Sequence, residues 1–156
     1  MTNRFDTLTF RRATEADLPA IVALLADDSL GRKREEATLP LDPGYVAGFQ
    51  AVSADPNQLL SVAVLDGKVI GTLQITFIPG VAQRGVKRGQ IEAVRVDKSL
   101  RGQGIGKRYF DWALQQCRDR HCDFVQLTMN KARTDTVRFY ERIGFQPTHE
   151  GFKLYF

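Results

Sequence analysis

Gln90-Ile91-Glu92-Ala93-Val94-Arg95-Val96 reads as a strand, and Arg101-Gly102-Gln103-Gly104-Ile105-Gly106 follows it, opening a helix-like run from Lys107 onward. Three glycines in the five positions Gly102 to Gly106 remove Cβ atoms where the backbone must turn tightly. Several N–H groups can then approach a ligand closely, at the positive end of a helix dipole where phosphates bind. Strand, glycine turn and helix in this order predict a phosphate-bearing ligand, and spacing separates the candidates. A Walker loop needs a glycine five residues before Gly106-Lys107, where Arg101 stands, and a Ser or Thr where Arg108 stands. A dinucleotide fingerprint needs its third glycine at Lys107 and an acidic strand end further on, and it has neither. A turn that binds nothing is the remaining bland alternative.

What is left, R-G-x-G-I-G between a strand and a helix, resembles the acetyl-coenzyme A pyrophosphate loop of the GNAT superfamily of N-acetyltransferases, with Arg101, Gly104 and Gly106 on the pattern. Downstream, Phe139-Tyr140-Glu141-Arg142-Ile143-Gly144-Phe145 resembles the family's C-terminal F-Y-E-x-x-G-F segment. The resemblance implies an α/β (α+β) fold, with a mixed, mostly antiparallel central sheet flanked by helices on both faces. It also implies acetyl-coenzyme A as cosubstrate, no metal, and acetyl transfer to a primary amine by direct attack on the thioester. The cofactor residues it implies are Arg101, Gly102, Gln103, Gly104, Ile105, Gly106 and Lys107, with Val94, Arg95 and Val96 on the preceding strand. Family analogy adds a homodimer.

The rest of the chain fits that order. Leu8 to Arg11 reads as a short strand, and Thr14-Glu15-Ala16-Asp17 offers a capping hydroxyl with an acid three residues on. A helix with Leu18, Ile21, Val22 and Leu25 on one face follows. Asp42-Pro43 starts a second helix, with Tyr45, Val46, Phe49 and Val52 at helical spacing. Asp66-Gly67 between Leu59–Leu65 and Lys68–Ile78 predicts an antiparallel hairpin. Residues 79–89 are expected as a loop, Gly104 to Arg120 as a helix with Tyr109, Phe110, Ala113 and Leu114 inward, and Phe124 to Met129 as a buried strand. Asp135 to Ile143 is expected as a helix ended by Gly144, and Gln146 to Phe156 as one or two further strands. Hairpins together with a crossover unit independently predict a mixed sheet.

The 156 residues, 43% of them hydrophobic, are expected to form a single domain over 1–156. Neither a signal-length apolar segment at the start nor a membrane span is found, so a cytoplasmic protein is expected. Cys117, His121, Cys122 and His149 match no usual zinc spacing, and ordinary reduced thiols are expected. Lys and Arg number 22 against 18 Asp and Glu, a net charge of +4. Arg84, Lys87, Arg88, Arg95, Lys98, Arg101, Lys107 and Arg108 suit a polyphosphate ligand as well as a nucleic acid, a solvated face is the reading kept for Arg84, Lys87 and Arg88, and with no nucleic-acid motif in the chain, no nucleic-acid partner is expected.

Acetyl transfer to an amine makes three demands: a neutral amine, donors for the carbonyl oxygen as it gains charge, and a proton for the departing sulfur. Strict period two on 90–96 puts Ile91, Ala93 and Arg95 on one face, and Gln90, Glu92, Val94 and Val96 on the other. A half-buried carboxylate at Glu92 suits a general base, acting directly or through water. A salt bridge to Arg95 or to a cross-strand cation is its structural alternative. The resemblance implies that the N–H of Val94 polarises the thioester carbonyl and that the Tyr140 hydroxyl acts as general acid, whereas helical spacing with Thr136, Phe139 and Ile143 equally suits a core tyrosine. At the position where many members carry a cofactor-contacting Asn, this chain has Arg133, with Asn130 nearby as a substitute, and Thr134 or Asp135 is placed to cap the helix. The acceptor, a small molecule or a peptide, is left open by the charged connection Asp27 to Glu36, whose Asp27, Asp28, Glu35 and Glu36 suit a cation and whose Arg32, Lys33 and Arg34 suit an anion. A non-catalytic acyl-coenzyme A binding module is the alternative to an enzyme.

Overall fold

The hairpin forms where the turn chemistry places it. Asp66 and Gly67 take φ of 50° and 77°, turning β2 (Gln58–Leu65) into β3 (Lys68–Ile78). Positive φ at both central residues matches the twist of the flanking strands. In this computed structural model, which describes residues 5–156, β2 and β3 pair antiparallel from Gln58↔Thr76 to Leu65↔Lys68. β1 (Thr9–Arg12) adds antiparallel to β2, and β4 (Arg88–Val96) antiparallel to β3. β5 (Phe124–Leu127) lies beside β4, so the strand order is β1-β2-β3-β4-β5. The link from β4 to β5 carries a long helix, the crossover that parallel neighbours require, and the sheet is mixed.

Alternation along β2 divides the helices between two faces, because Ser61 and Val62 point in opposite directions. On the Val62 side lie α1 (Leu18–Ala26) and α2 (Pro43–Ala54). There Ala13, Ile21 and Val62 are buried, with Leu25, Phe49, Leu60, Val64 and Val69 packed against them. Asp42 caps α2 by accepting the Gly44 N–H at 2.7 Å. Asp17 accepts from the Thr14 N–H at 2.7 Å and pairs with Arg11, fixing the approach to α1. On the Ser61 side lies α4 (Ile105–Asp119), which buries Ile105, Tyr109, Phe110, Ala113 and Cys117. The Tyr109 hydroxyl is 2.8 Å from Ser61 Oγ, and Phe10 stacks on its ring with centroids 5.0 Å apart. Burial pushes the Tyr109 phenol well above its ordinary range, partly offset by Ser61.

Several expectations need correction. The stretch 79–89 is not all loop: it contains a one-turn α3 (Ala82–Gly85), with Gln83 and Arg84 at φ 53° and 66°, and its last two residues belong to β4. β5 is not a buried strand. Phe124 is 42% exposed and the other three residues are half-buried, as suits the last strand in the order. Residues 146–156 form no strand, and Phe152, Leu154, Tyr155 and Phe156 are exposed. Strand propensity without a neighbouring strand to pair with does not make a sheet.

The chain forms two compact units, one ending at Gln126 and one spanning Leu127–Phe156. In the second, α5 (Thr134–Arg142) brings Tyr140 edge-on to Phe139 and Phe145, with centroids 5.5 and 6.0 Å apart. Its N-cap is Arg133 rather than Asp135, with no side-chain cap bond, and the expected cap from the Thr134 side chain lies outside the described residues. Among the described residues, no helix is long and apolar enough to cross a membrane.

Candidate active site

β4 leaves regular pairing at the residues where the chemistry is expected. Thr72 pairs with Arg95 and Gln74 with Glu92, so Leu73 stands opposite both Ala93 and Val94. Ala93 has φ of 54°. This is a β-bulge, and it has two effects. Backbone groups of Ala93 and Val94 leave the ladder, and the alternation slips by one. Glu92 and Arg95 therefore share a face, opposite Gln74 and Thr72, where strict period two set them apart.

Their side chains have different surroundings. Arg95 pairs with Asp28 at 3.2 Å, both side chains being 12% exposed, and donates to the Val94 carbonyl at 2.7 Å. Its charge is thus held at the end of α1, leaving its backbone as the part available to a cofactor. Glu92 is exposed rather than half-buried, because its neighbours on that face are Gln74 and Gln90 instead of apolar side chains. Its carboxylate accepts from Gln90 Nε2 at 3.0 Å, and Gln90 Oε1 accepts from Gln126 Nε2 at 3.0 Å. The salt bridge from Glu92 to Arg95 is not formed.

After β4, Asp97 caps a 3-10 turn at Lys98–Leu100 by accepting the Ser99 N–H at 2.9 Å. The chain then enters the glycine loop. Gly102 and Gly104 take φ of 75° and 84°, and a Cβ on either would meet nothing within 4 Å. Backbone conformation, not crowding, calls for glycine here, and the space beside the loop is open. Gly104 is the N-cap of α4 and offers no side chain, and the Arg108 N–H makes the first helical bond to its carbonyl. The N–H groups of Ile105, Gly106 and Lys107 thus have no intrahelical acceptor and line a place for an anion. Ile105 supplies only its N–H, since its side chain is in the core. The exposed Arg101 donates Nε–H to the Val96 carbonyl at 3.1 Å, and Gln103 donates to the Ser99 carbonyl at 3.2 Å. Lys107 pairs with Asp111 at 2.7 Å. An open loop with positive-φ glycines, unused N–H groups and nearby cations fits a pyrophosphate.

Residues 20–145 match the family model described as the acetyltransferase (GNAT) family. The chain belongs to the GNAT acetyltransferase family. The fold agrees with that of a protein described as a transcriptional regulator from Bacillus halodurans C-125, with TM-score 0.92 and 45% identity over 96% of this chain and 99% of that one. Aminoalkylphosphonate N-acetyltransferase of Salmonella typhimurium is 28% identical over 139 residues, 89% of this chain and 85% of the relative. Glucosamine 6-phosphate N-acetyltransferase of Trypanosoma brucei brucei is 32% identical over 84 residues, 54% of each chain. The protein is an N-acetyltransferase, and its family uses acetyl-coenzyme A.

In this GNAT chain the acids of the connection 27–36 are largely occupied. Asp27 pairs with Lys98 at 2.9 Å, Asp28 holds Arg95 and accepts the Leu30 N–H at 3.0 Å, and Glu35 accepts from the Tyr45 hydroxyl at 3.0 Å. Glu36 accepts from the Thr38 hydroxyl and N–H, which holds its carboxyl below the ordinary range. Arg32 and Lys33 are exposed and have no ion pair among the described residues. In the second unit, Asn130 Oδ1 accepts from the Ala132 N–H and its carbonyl from the Arg133 N–H, both at 2.9 Å, so both acceptors close a turn. Cys117 and Cys122 are free thiols, and burial pushes Cys117 up to about 12. Among the described residues, no group of three or more His, Cys, Asp or Glu could hold a metal ion. Sequence reasoning gave no role to Gln90 or Gln126, and it read Asp28 as suited to a cationic acceptor rather than as the partner of Arg95. Gln90 is two residues before Glu92 on its face, a signal open to the eye, but the other two are brought in only by tertiary folding.

Proposed function

We propose that this N-acetyltransferase acetylates a small primary amine that also carries a phosphonate or phosphate group, by direct attack on the thioester. The bulge in β4 carries the reading, because it releases backbone groups at Ala93 and Val94 next to the exposed Glu92 carboxylate. Bound acetyl-coenzyme A supplies the acetyl thioester. The N–H groups of Ile105, Gly106 and Lys107, with Arg101, Gly102, Gln103 and Gly104, hold its pyrophosphate, and the backbone of Val94, Arg95 and Val96 holds the arm. Asn130 and Arg133 are assigned to further cofactor contacts. Glu92 takes the proton that the amine gives up, directly or through water, as its nitrogen bonds to the acetyl carbon. The Val94 N–H donates to the oxygen on which charge grows. The Tyr140 hydroxyl gives its proton to the sulfur as the carbon–sulfur bond breaks. The whole chain, 1–156, is taken as one catalytic domain, and the family model, matched over residues 20–145, reaches into both compact units in support.

The anionic part of the acceptor is supported by two relatives, whose named substrates carry a phosphonate and a phosphate. It is also supported by the connection 27–36, where folding occupies the acids and leaves Arg32 and Lys33 exposed. Asp28 ties that connection to Arg95, on the face that bears Glu92.

Thiol release from acetyl-coenzyme A across aminoalkylphosphonates, amino-sugar phosphates, polyamines, aminoglycosides, amino acids and peptides tests this. Release with the phosphorus-bearing amines, falling about 100-fold or more in Glu92→Gln, is expected. Turnover confined to polyamines would overturn the acceptor class, and acetyl-coenzyme A binding without turnover on any amine would favour a binding module. A second reading, a DNA-binding regulator, draws on the description of the Bacillus neighbour and on the +4 charge. Steeply salt-dependent binding to duplex DNA would favour it.

A further inference from the structure

On the proposed reading of Glu92 as the base, we infer that Gln90 and Gln126 are positioning residues that fix the Glu92 carboxylate through a directed chain of amides. A carboxylate only accepts hydrogen bonds, so Gln90 must turn its NH2 end toward Glu92, with Nε2 at 3.0 Å from Oε2. Its carbonyl end then faces Gln126, which must in turn present an NH2, and Gln126 Nε2 lies 3.0 Å from Gln90 Oε1. The charge on Glu92 thereby sets the orientation of both amides. Gln90 and Gln126 are half-buried while Glu92 is exposed, so the chain runs from the sheet outward to the reacting group.

A long exposed Glu otherwise samples many rotamers, and holding one oxygen restricts the other to a few positions. Oε2 takes the Gln90 bond, and Oε1 has no hydrogen bond to protein among the described residues, so Oε1 is the oxygen left for the amine proton. The adjoining residues on the same face support the arrangement. Gln58 Oε1 accepts from Gln74 Nε2 at 2.9 Å and from Thr76 Oγ1 at 3.0 Å, and Gln74 and Thr76 stand opposite Glu92 and Gln90. A band of hydrogen-bonded amides thus lies beside the base on the adjoining strands.

The test is a double-mutant cycle in kcat on the acceptor found active, with Gln90→Met, Glu92→Gln and the pair, plus Gln126→Met. Methionine keeps the length and removes both hydrogen-bonding ends. Gln90→Met is expected to lower kcat about 10-fold with Glu92 present and less than about 2-fold in the Glu92→Gln background, because the amide acts only through the carboxylate. Gln126→Met should give a smaller loss that disappears when Gln90 is already methionine. KM for acetyl-coenzyme A and the urea midpoint should stay unchanged. Equal losses in both backgrounds would make Gln90 a merely structural residue, and no loss with Glu92 present would remove its role, each overturning the inference alone. Full activity in Glu92→Gln itself would instead overturn the base assignment, so the two failures are distinct.

Discussion

Arg95 shares a face with Glu92, so its charge would bear on the base directly if Asp28 did not hold it. The two side chains are each 12% exposed at 3.2 Å, and removing one partner leaves the other charge short of solvent. Asp28→Ala is therefore expected to destabilise the fold by about 3 kcal/mol, read as a lower urea midpoint with unchanged slope. Asp17 gives a pH-dependent counterpart. The hydrogen bonds from Arg11 lower its carboxyl most, with Thr14 adding to the effect against burial, to about 2. A depressed folded value means the contribution is present above the unfolded value near 3.8 and is lost as pH falls toward 2. Since Arg11 is 45% exposed and screened, about 1 kcal/mol is expected to disappear from wild type between pH 5 and pH 2 and not from Asp17→Asn. At this scale the sequence singled out Glu92 as a candidate and hid its setting. The slip in alternation arises at Ala93, whose positive φ no side-chain pattern announces.

Whole elements were more legible, because their signals are local. Asp66-Gly67, Asp42-Pro43 and the apolar spacing of 105–117 each specify one structure without help from distant residues, and β2, β3, α2 and α4 form there. Residues 146–156 carry strand-like composition but depend on a pairing partner, and that dependence is not written in the segment itself. The packing of α4 on the sheet was legible in the inward spacing of Tyr109, Phe110 and Ala113, all buried, but its close approach at Cys117 had no sequence signature beyond a glycine. Gly89 lies in β4 where a Cβ would come 2.5 Å from Cys117 Sγ and 3.4 Å from its Cβ. Gly89→Ala is expected to cost about 1–3 kcal/mol by overpacking, measured by urea unfolding. Adding Cys117→Ala should recover most of that loss, because it removes the sulfur in the way; two losses that simply add would show that the strain lies elsewhere.

For the whole molecule, charge and ligand act together. The chain carries +4, and exposed Arg101, Lys107 and Arg108 stand around a loop whose own N–H groups point outward. Attraction of a polyanionic cosubstrate over this surface weakens with salt, since exposed charges are screened over about 8 Å at physiological ionic strength. A ligand that binds only the folded state also stabilises it by mass action, about 2.7 kcal/mol at 100 times its Kd. Acetyl-coenzyme A at that excess should therefore raise the urea midpoint of the wild type, less so in high salt. Gly104→Val separates the loop from the fold. A Cβ there meets no atom within 4 Å, but φ of 84° strains a branched residue, so a loss of about 1–2 kcal/mol without ligand is expected. Because the variant must distort the turn that presents the N–H groups of Ile105, Gly106 and Lys107, the stabilisation by acetyl-coenzyme A should vanish as well. Retention of the full shift in Gly104→Val would place the pyrophosphate elsewhere on the molecule, whereas its loss with an otherwise cooperative transition would assign it to this loop.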